Sequence, residues 1–122
     1  MAMRVLVVDD SGFMRKRIIE ELREQGHTVA GEARSGAEAV ALYRTLRPDL
    51  VTMDITMRDK DGITAAREIL DEDPNANIVF LTILKDEKYR VEAEKLGAKG
   101  FINKTDHQSI ARFIQEMDRN SQ

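Results

Sequence analysis

The stretch LVTMDITMRDKDG, Leu50 to Gly62, contains a short apolar run that stops at a carboxylate. Val51 and Met53 lie inside the run, and Asp54 ends it. An almost continuous apolar run of this length is typical of a strand that is buried on both faces of a parallel sheet. We therefore expect Asp54 at the carboxyl end of a strand, the edge at which such sheets bind their ligands.

Two other apolar runs also end at polar residues. Val5 to Val8 is followed by Asp9 and Asp10, and Ile78 to Leu81 is followed by Thr82. Together with the first run, they predict the central strands of one sheet. Two weaker candidates contain glycine or charged residues, as edge strands often do, and they cover residues 28–33 and 100–102.

Helical patterns lie between the strand candidates. The first helix should begin after Ser11, whose hydroxyl can cap it, and should end at Gly26. The second should begin at Ser35 or Gly36 and face the core through Ala37, Val40 and Ala41. The others are expected over residues 63–70, over residues 86–96, and around an apolar stripe made by Ile110, Phe113, Ile114 and Met117.

The alternation of strand and helix candidates predicts a three-layer α/β fold. We expect residues 1–122 to form one doubly wound, flavodoxin-like (βα)5 domain whose parallel sheet has the strand order 2-1-3-4-5. Strands one and three are then neighbours, roughly 5 Å apart, so Asp9, Asp10 and Asp54 should converge on one crevice. Thr82 should lie one strand farther along. The long side chain of Lys104, just after the last strand, could reach the same crevice.

Composition excludes several functional classes. The net charge of −3 arises from 22 acidic and 19 basic residues that are mixed along the chain, so there is no basic surface for nucleic acid. The absence of cysteine excludes disulfides, thiol nucleophiles and cysteine metal sites. The N-terminus lacks the apolar segment of a signal peptide, and no apolar run approaches the roughly 20 residues that span a bilayer. A cytoplasmic protein without a membrane partner is therefore expected.

The predicted crevice has a composition suited to a hard metal ion. Two carboxylates about 4 Å apart repel each other by roughly 4 kcal/mol at an effective dielectric constant near 20, so a proton or a cation must offset the repulsion. Both histidines, His27 and His107, lie away from the strand ends and are expected on the surface. An all-oxygen site of this kind favours Mg²⁺. With Asp54 beside the metal, and with Thr82 and Lys104 opposite, the site could hold a phosphoryl group.

These residues occur in the order of a known family. The chain resembles the receiver domain of two-component response regulators, and its length resembles the standalone CheY-like type used in chemotaxis. CheY itself has the strand order given above, so that order and the resemblance are not independent. The resemblance extends from Val5 to about Met117 and depends on DD at 9–10, MD at 53–54, G at 62, T at 82, F at 101 and K at 104.

The resemblance implies a metal site and a phosphoacceptor. Asp54 would accept the phosphoryl group. Asp10 would bind Mg²⁺ directly, Asp9 would assist through water, and the main-chain carbonyl of Thr56 would be a further ligand. The phosphoryl donor would be the phosphohistidine of a histidine kinase or a phosphotransfer protein.

The resemblance also implies a switch rather than an enzyme with a separate substrate. Lys104 would pair with the phosphoryl oxygens, Thr82 would move toward them, and the ring of Phe101 would turn inward. The face built by helix four, strand five and helix five would then bind a downstream effector protein, with no direct contact to nucleic acid. Slow hydrolysis would reset the switch.

Three residues depart from the family pattern. Thr105 follows Lys104 where proline, often with a cis bond, is usual; because a cis bond before a non-proline residue costs roughly 3 kcal/mol, we expect a trans bond. Arg58 replaces a common proline and adds a cation near the crevice. Ile83 stands where the family usually has a small residue, so it should narrow the approach to Asp54.

Three other functional classes compete with this interpretation. A Mg²⁺-dependent phosphatase or phosphotransferase with an aspartyl-phosphate intermediate would need a general acid two residues after its nucleophile, where this chain has Thr56, and a cap domain. A degenerate receiver that serves as a constitutive interaction module is disfavoured by the complete set of site residues. A flavin or nucleotide carrier is disfavoured because no glycine-rich loop follows the first strand.

Overall fold

The strands of the computed structural model form one parallel sheet. The structure describes residues 2–83, 86–103 and 111–116. Within them, the sheet has the order β2-β1-β3-β4-β5, and every adjacent pair is parallel. The predicted fold and strand order are thereby confirmed. The strands are β1 (Arg4–Val8), β2 (Thr28–Ala33), β3 (Leu50–Met53), β4 (Ile78–Thr82) and β5 (Gly100–Asn103).

Helices connect successive strands. Their bounds are α1 (Gly12–Glu24), α2 (Gly36–Leu46), α3 (Gly62–Glu72) and α4 (Glu87–Leu96), and residues 111–116 are also helical and are called α5 here. The predicted Ser11 cap is present, because its hydroxyl accepts a hydrogen bond from the Met14 N–H at 3.3 Å. Gly26 follows α1 with a φ of +85°, as a residue that ends a helix often does. None of the described helices has the length and apolar character that a membrane span requires.

The two faces of the sheet are covered by different helices. Alternate residues of β1 point to opposite faces: Leu6 and Val8 join the side chains of α2, α3 and α4, whereas Val5 and Val7 join those of α1. Ile114 of α5 is buried with the second group. Because the central strands are buried on both sides, their sequences are continuously apolar, which is why these runs could be recognised in the sequence.

The buried face of α2 differs from the predicted one. Val40 is buried as expected, but Ala37 and Ala41 are exposed, and their places in the core are taken by Ala39 and Tyr43. Tyr43 is only 4% exposed, so its ring occupies much of the space between α2 and its neighbours. The buried stripe of α2 therefore includes Ala39, Val40 and Tyr43, and it could not be predicted from the positions of the alanines alone.

The predicted surface position of His27 is wrong. His27 is 4% exposed, and its Nδ1 atom accepts a hydrogen bond from the Met3 N–H at 3.0 Å. The imidazole thereby satisfies a main-chain donor at the start of the chain, next to the strand β1. His107 lies outside the described residues.

Candidate functional site

The register of β1 and β3 places two carboxylates side by side. Val8 and Met53 are paired, and each is followed directly by an aspartate, Asp9 or Asp54. The Asp54 N–H donates to the Val8 carbonyl oxygen at 3.0 Å, so the backbone pairing continues to the phosphoacceptor candidate itself. On the other side, the Asp9 N–H donates to the carbonyl of Ala33, the last residue of β2, at 3.1 Å. Both strand ends are thus fixed by main-chain bonds.

Three carboxylates meet at this edge of the sheet. One carboxylate oxygen from each of Asp9, Asp10 and Asp54 lies within 4.8 Å of the others. Asp9 and Asp54 are buried, at 0% and 4% exposure, whereas Asp10 is exposed. The predicted convergence of these carboxylates is therefore confirmed.

The donor set fits a hard divalent cation. All three side chains offer oxygen, and their mutual repulsion falls when a cation lies among them. The exposed position of Asp10 keeps one side of the cluster open to solvent. An ion that retains several of its waters, as Mg²⁺ does, suits a site with few protein ligands and an open side.

Helix α1 supports the acidic cluster through Arg15, which the sequence analysis did not single out. The Nη1 atom of Arg15 donates to the main-chain oxygen of Asp9 at 2.8 Å, and its Nε atom donates to Glu32 at 3.0 Å. The Asp9 carboxylate also accepts from the Ser11 N–H at 2.9 Å. The only sequence signal for Arg15 is its place early in a helix that begins at the crevice.

The loop after Asp54 returns tightly to the same residue. Gly62 lies at the start of α3, and a Cβ atom on it would be 2.0 Å from the Asp54 carbonyl oxygen. The Gly62 N–H donates to the Ile55 carbonyl oxygen at 2.7 Å, and the side chain of Asp61 caps α3 by accepting from the Thr64 N–H. Thr56 lies between these contacts, two residues after Asp54.

The switch candidates lie on the next two strands. Thr82 ends β4 and is 1% exposed, and Phe101 of β5 is partly buried and packs against the core. Phe80 of β4 is paired with Met53 of β3 on one side and with Phe101 of β5 on the other. Asp54, Thr82 and Phe101 therefore belong to three consecutive strands of the sheet or follow directly after one of them.

The structure describes two of the three residues that depart from the family pattern, Ile83 and Arg58. Ile83 follows Thr82 directly and is 58% exposed, so it is a large apolar side chain at the ligand-binding edge of the sheet. Arg58 is exposed in the loop after Asp54. Lys104 and Thr105 lie outside the described residues.

Comparison with known proteins gives the family. Residues 5–115 match the response regulator receiver domain. The chain belongs to this family. It is a CheY-like receiver domain of the two-component signalling type, as the motifs of its sequence predict.

Curated relatives match most of the receiver domain. The chain is 54% identical over 101 residues to the protein CcdB of Bacillus subtilis, an alignment that covers 83% of this chain and 84% of the relative. It is 48% identical over 104 residues to the chemotaxis protein CheY of Thermotoga maritima, with 85% and 87% coverage.

Solved structures have the same fold. The response regulator domain of Thermotoga maritima CheB is 33% identical, has a TM-score of 0.86, and is matched over 98% of this receiver and 96% of that chain. A chain of the CheX-CheY-BeF3-Mg²⁺ complex from Borrelia burgdorferi is 34% identical with a TM-score of 0.85, and the match covers 93% of this receiver and 85% of that chain.

Proposed function

We propose that this receiver is a phosphorylation switch in which Asp54 accepts a phosphoryl group from the phosphohistidine of a histidine kinase or a phosphotransfer protein. The observation that supports this proposal most directly is the cluster of Asp9, Asp10 and Asp54 at one edge of the sheet. Residues 1–122 would form a single receiver domain.

The proposed transfer is a simple displacement at phosphorus. An oxygen of Asp54 forms the new P–O bond while the P–N bond of the phosphohistidine breaks, and the released imidazole takes up a proton. Asp54 is held by main-chain bonds at the end of a central strand, so its carboxylate is oriented before the donor arrives. Asp10 leaves the crevice open on its side, where the donor imidazole could approach.

Asp9, Asp10 and Asp54, together with the main-chain carbonyl of Thr56, would hold a divalent cation such as Mg²⁺. When bound, this cation supplies positive charge that offsets the negative charge of the phosphoryl oxygens. The fit rests on three oxygen donors within 4.8 Å of one another and on the solvent access beside Asp10. Lys104 would add a second positive charge to the phosphoryl group.

The proposed output depends on Thr82 and Phe101. The Thr82 hydroxyl would move toward the phosphoryl oxygens, and the space it leaves would admit the Phe101 ring. Support comes from the contrast in burial, because Thr82 is fully enclosed whereas Phe101 is only partly enclosed. The altered α4-β5-α5 face would bind a downstream effector protein. The CheX-CheY-BeF3-Mg²⁺ complex from Borrelia burgdorferi offers a precedent for such a partner.

Beryllofluoride provides a test of this function without a cognate kinase. We expect MgCl₂ with beryllofluoride to shift the amide NMR signals of residues 54–57 and of Thr82, and we expect acetyl phosphate with MgCl₂ to add one phosphoryl group. Asp54→Asn should abolish both effects. Asp71→Asn, which changes an exposed carboxylate of α3, should preserve them. Phosphorylation that survives in Asp54→Asn would refute the assignment of the phosphoacceptor.

A further inference from the structure

The loop between β3 and α3 has firm contacts at both ends. Ile55 accepts from the Gly62 N–H, and Asp61 caps α3. Residues 56–60 lie between these contacts and include Thr56, whose carbonyl is part of the proposed metal site. A carbonyl in a loop is a reliable metal ligand only when the backbone around it is fixed, because each ligand must be held in place by groups outside the metal shell.

The middle of this loop is attached to a different helix, α2. The Asp59 carboxylate accepts a hydrogen bond from the Ala37 N–H, in the first turn of α2, at 3.3 Å. Main-chain N–H groups, that of Lys60 first and then those of Ala37 and Gly36, hold the pKa of Asp59 below its ordinary value although partial desolvation opposes them. A carboxylate at this position also interacts favourably with the N-terminal end of the helix dipole.

A close backbone contact supports the same attachment independently. Gly36, the first residue of α2, lies so near the loop that a Cβ atom on it would be 2.2 Å from the Lys60 carbonyl oxygen. Lys60 in turn forms an ion pair with Glu68 of α3. The loop therefore lies directly against the N-terminal turn of α2 and is also connected to α3.

The helix does not need Asp59 as its main cap. Ser35 is the N-cap of α2, and its hydroxyl accepts from the Glu38 N–H at 3.1 Å. Ser35 and Asp59 thus bind different N–H groups of the same helical turn. The two residues lie in different segments of the chain. Ser35 belongs to the segment before α2, whereas Asp59 belongs to the β3–α3 loop, which also contains Thr56.

We propose that Asp59 is a positioning residue of the metal site, which holds the β3–α3 loop on the N-terminus of α2 and so fixes the Thr56 carbonyl. This inference rests on the proposed function, because it takes that carbonyl to be a Mg²⁺ ligand. Asp59 itself does not touch the metal or the phosphoryl group. Removing its carboxylate frees the loop, so the affinity for Mg²⁺ falls while the carboxylates of the cluster remain in place.

The experiment compares two residues that bind the same helical turn. MgCl₂ is titrated into the wild type, Asp59→Ala, Asp59→Asn and Ser35→Ala, and the amide NMR signals of residues 9, 10 and 54 report the half-saturating concentration. For Asp59→Ala we expect this concentration to rise about ten-fold, at the lower end of the effects of groups that orient metal ligands. Asp59→Asn keeps an acceptor oxygen and should give an intermediate value. Ser35→Ala should match the wild type.

A second variant approaches the same contact from the helix. Gly36→Ala places a methyl group against the Lys60 carbonyl and should weaken Mg²⁺ binding while Asp59 remains present. If Asp59→Ala and Gly36→Ala bind MgCl₂ as tightly as the wild type, or if Ser35→Ala weakens binding equally, the positioning role is refuted. These results would leave the proposed function intact, since the wild type would still bind Mg²⁺ and accept the phosphoryl group. A wild type that binds no Mg²⁺ would overturn both proposals.

Discussion

The main-chain oxygen of Asp54 lies where a side chain on Gly62 would have to be. The distance from this oxygen to an ideal Cβ on Gly62 is 2.0 Å, much shorter than any contact that real Cβ atoms make. The first residue of α3 is therefore packed against the residue that is proposed to carry the phosphoryl group. This contact explains in physical terms why a glycine follows Asp54 at a spacing of eight residues.

Substitution of Gly62 should disturb both stability and the site. In Gly62→Ala, either α3 or the Asp54 carbonyl must move, and strain of this kind typically lowers the free energy of unfolding by about 1–3 kcal/mol. Urea unfolding measures this change, and the rate of phosphorylation by acetyl phosphate should fall in the folded variant. Gly12→Ala is the matched control, because its Cβ would be 3.5 Å from the nearest atom, the Nη2 of Arg15. Equal stability of the two variants would contradict the steric explanation.

Neutralising one carboxylate of the cluster should have opposite effects with and without a divalent cation. Asp10→Asn keeps the shape of an exposed side chain and removes one of three neighbouring charges. In the absence of divalent cations and at low salt, the free energy of unfolding should rise by on the order of 1 kcal/mol because repulsion is reduced.

MgCl₂ should stabilise the wild type more than Asp10→Asn. A ligand that binds only the folded state stabilises it by an amount that grows with the logarithm of one plus the ratio of its free concentration to its Kd, so MgCl₂ in excess of the Kd should stabilise the wild type. The gain should be much smaller in Asp10→Asn. Thermal unfolding with and without MgCl₂ measures both effects, and an equal gain in the two proteins would show that Asp10 is not a ligand.

Ile83 should control access to Asp54. Because Ile83 is 58% exposed, Ile83→Ala should change the free energy of unfolding by no more than about 0.5 kcal/mol. We expect several-fold faster phosphorylation by acetyl phosphate and several-fold faster loss of the phosphoryl group, since both the small donor and water would reach Asp54 more easily. Val91→Ala, on a partly exposed position of α4, is the control. Unchanged rates in Ile83→Ala would refute the role.

The features that the sequence predicted are those determined by local patterns. Central strands that are buried on both faces are mostly apolar, so β1, β3 and β4 can be predicted from the sequence alone. The aspartates that follow β1 and β3 can be located in the same way. The strand order then brought Asp9 and Asp54 together, because the register pairs Val8 with Met53. The acidic cluster followed from these two facts without any information on side-chain packing.

The features that the sequence did not predict depend on contacts between distant segments. His27 is buried because it accepts from the Met3 N–H, 24 residues earlier in the chain. The Arg15 side chain donates to the main-chain oxygen of Asp9, a bond that does not depend on which side chain is present at position 9. Asp59 has no distinguishing sequence pattern, because its attachment to α2 arises from the way the two segments pack. Periodicity contains no information on such pairs.

The hydrogen bond between Tyr43 and Asp73 should make stability depend on pH at both extremes. The Tyr43 hydroxyl donates to the Asp73 carboxylate at 2.7 Å. Burial, reinforced by this carboxylate, raises the pKa of Tyr43 from 10.0 to about 12, and the same bond lowers the pKa of Asp73 from its ordinary value of 3.8. The bond therefore joins a protonated phenol in α2 to an ionised carboxylate at the end of α3.

The sign of the effect follows from these two shifts. A raised tyrosine pKa contributes stability that is complete below pH 10 and is lost as the pH rises through about 12, and a lowered aspartate pKa contributes stability that is present above pH 3.8 and is lost as the pH falls. Tyr43→Phe should thus be less stable than the wild type near neutral pH, and the difference should shrink toward either extreme. Urea unfolding from acid to alkaline pH measures it, with Tyr89→Phe on α4 as a control that should match the wild type at neutral pH. A difference that stays constant across the whole range would show that the missing volume of the hydroxyl, rather than its hydrogen bond to the ionised Asp73, accounts for the change.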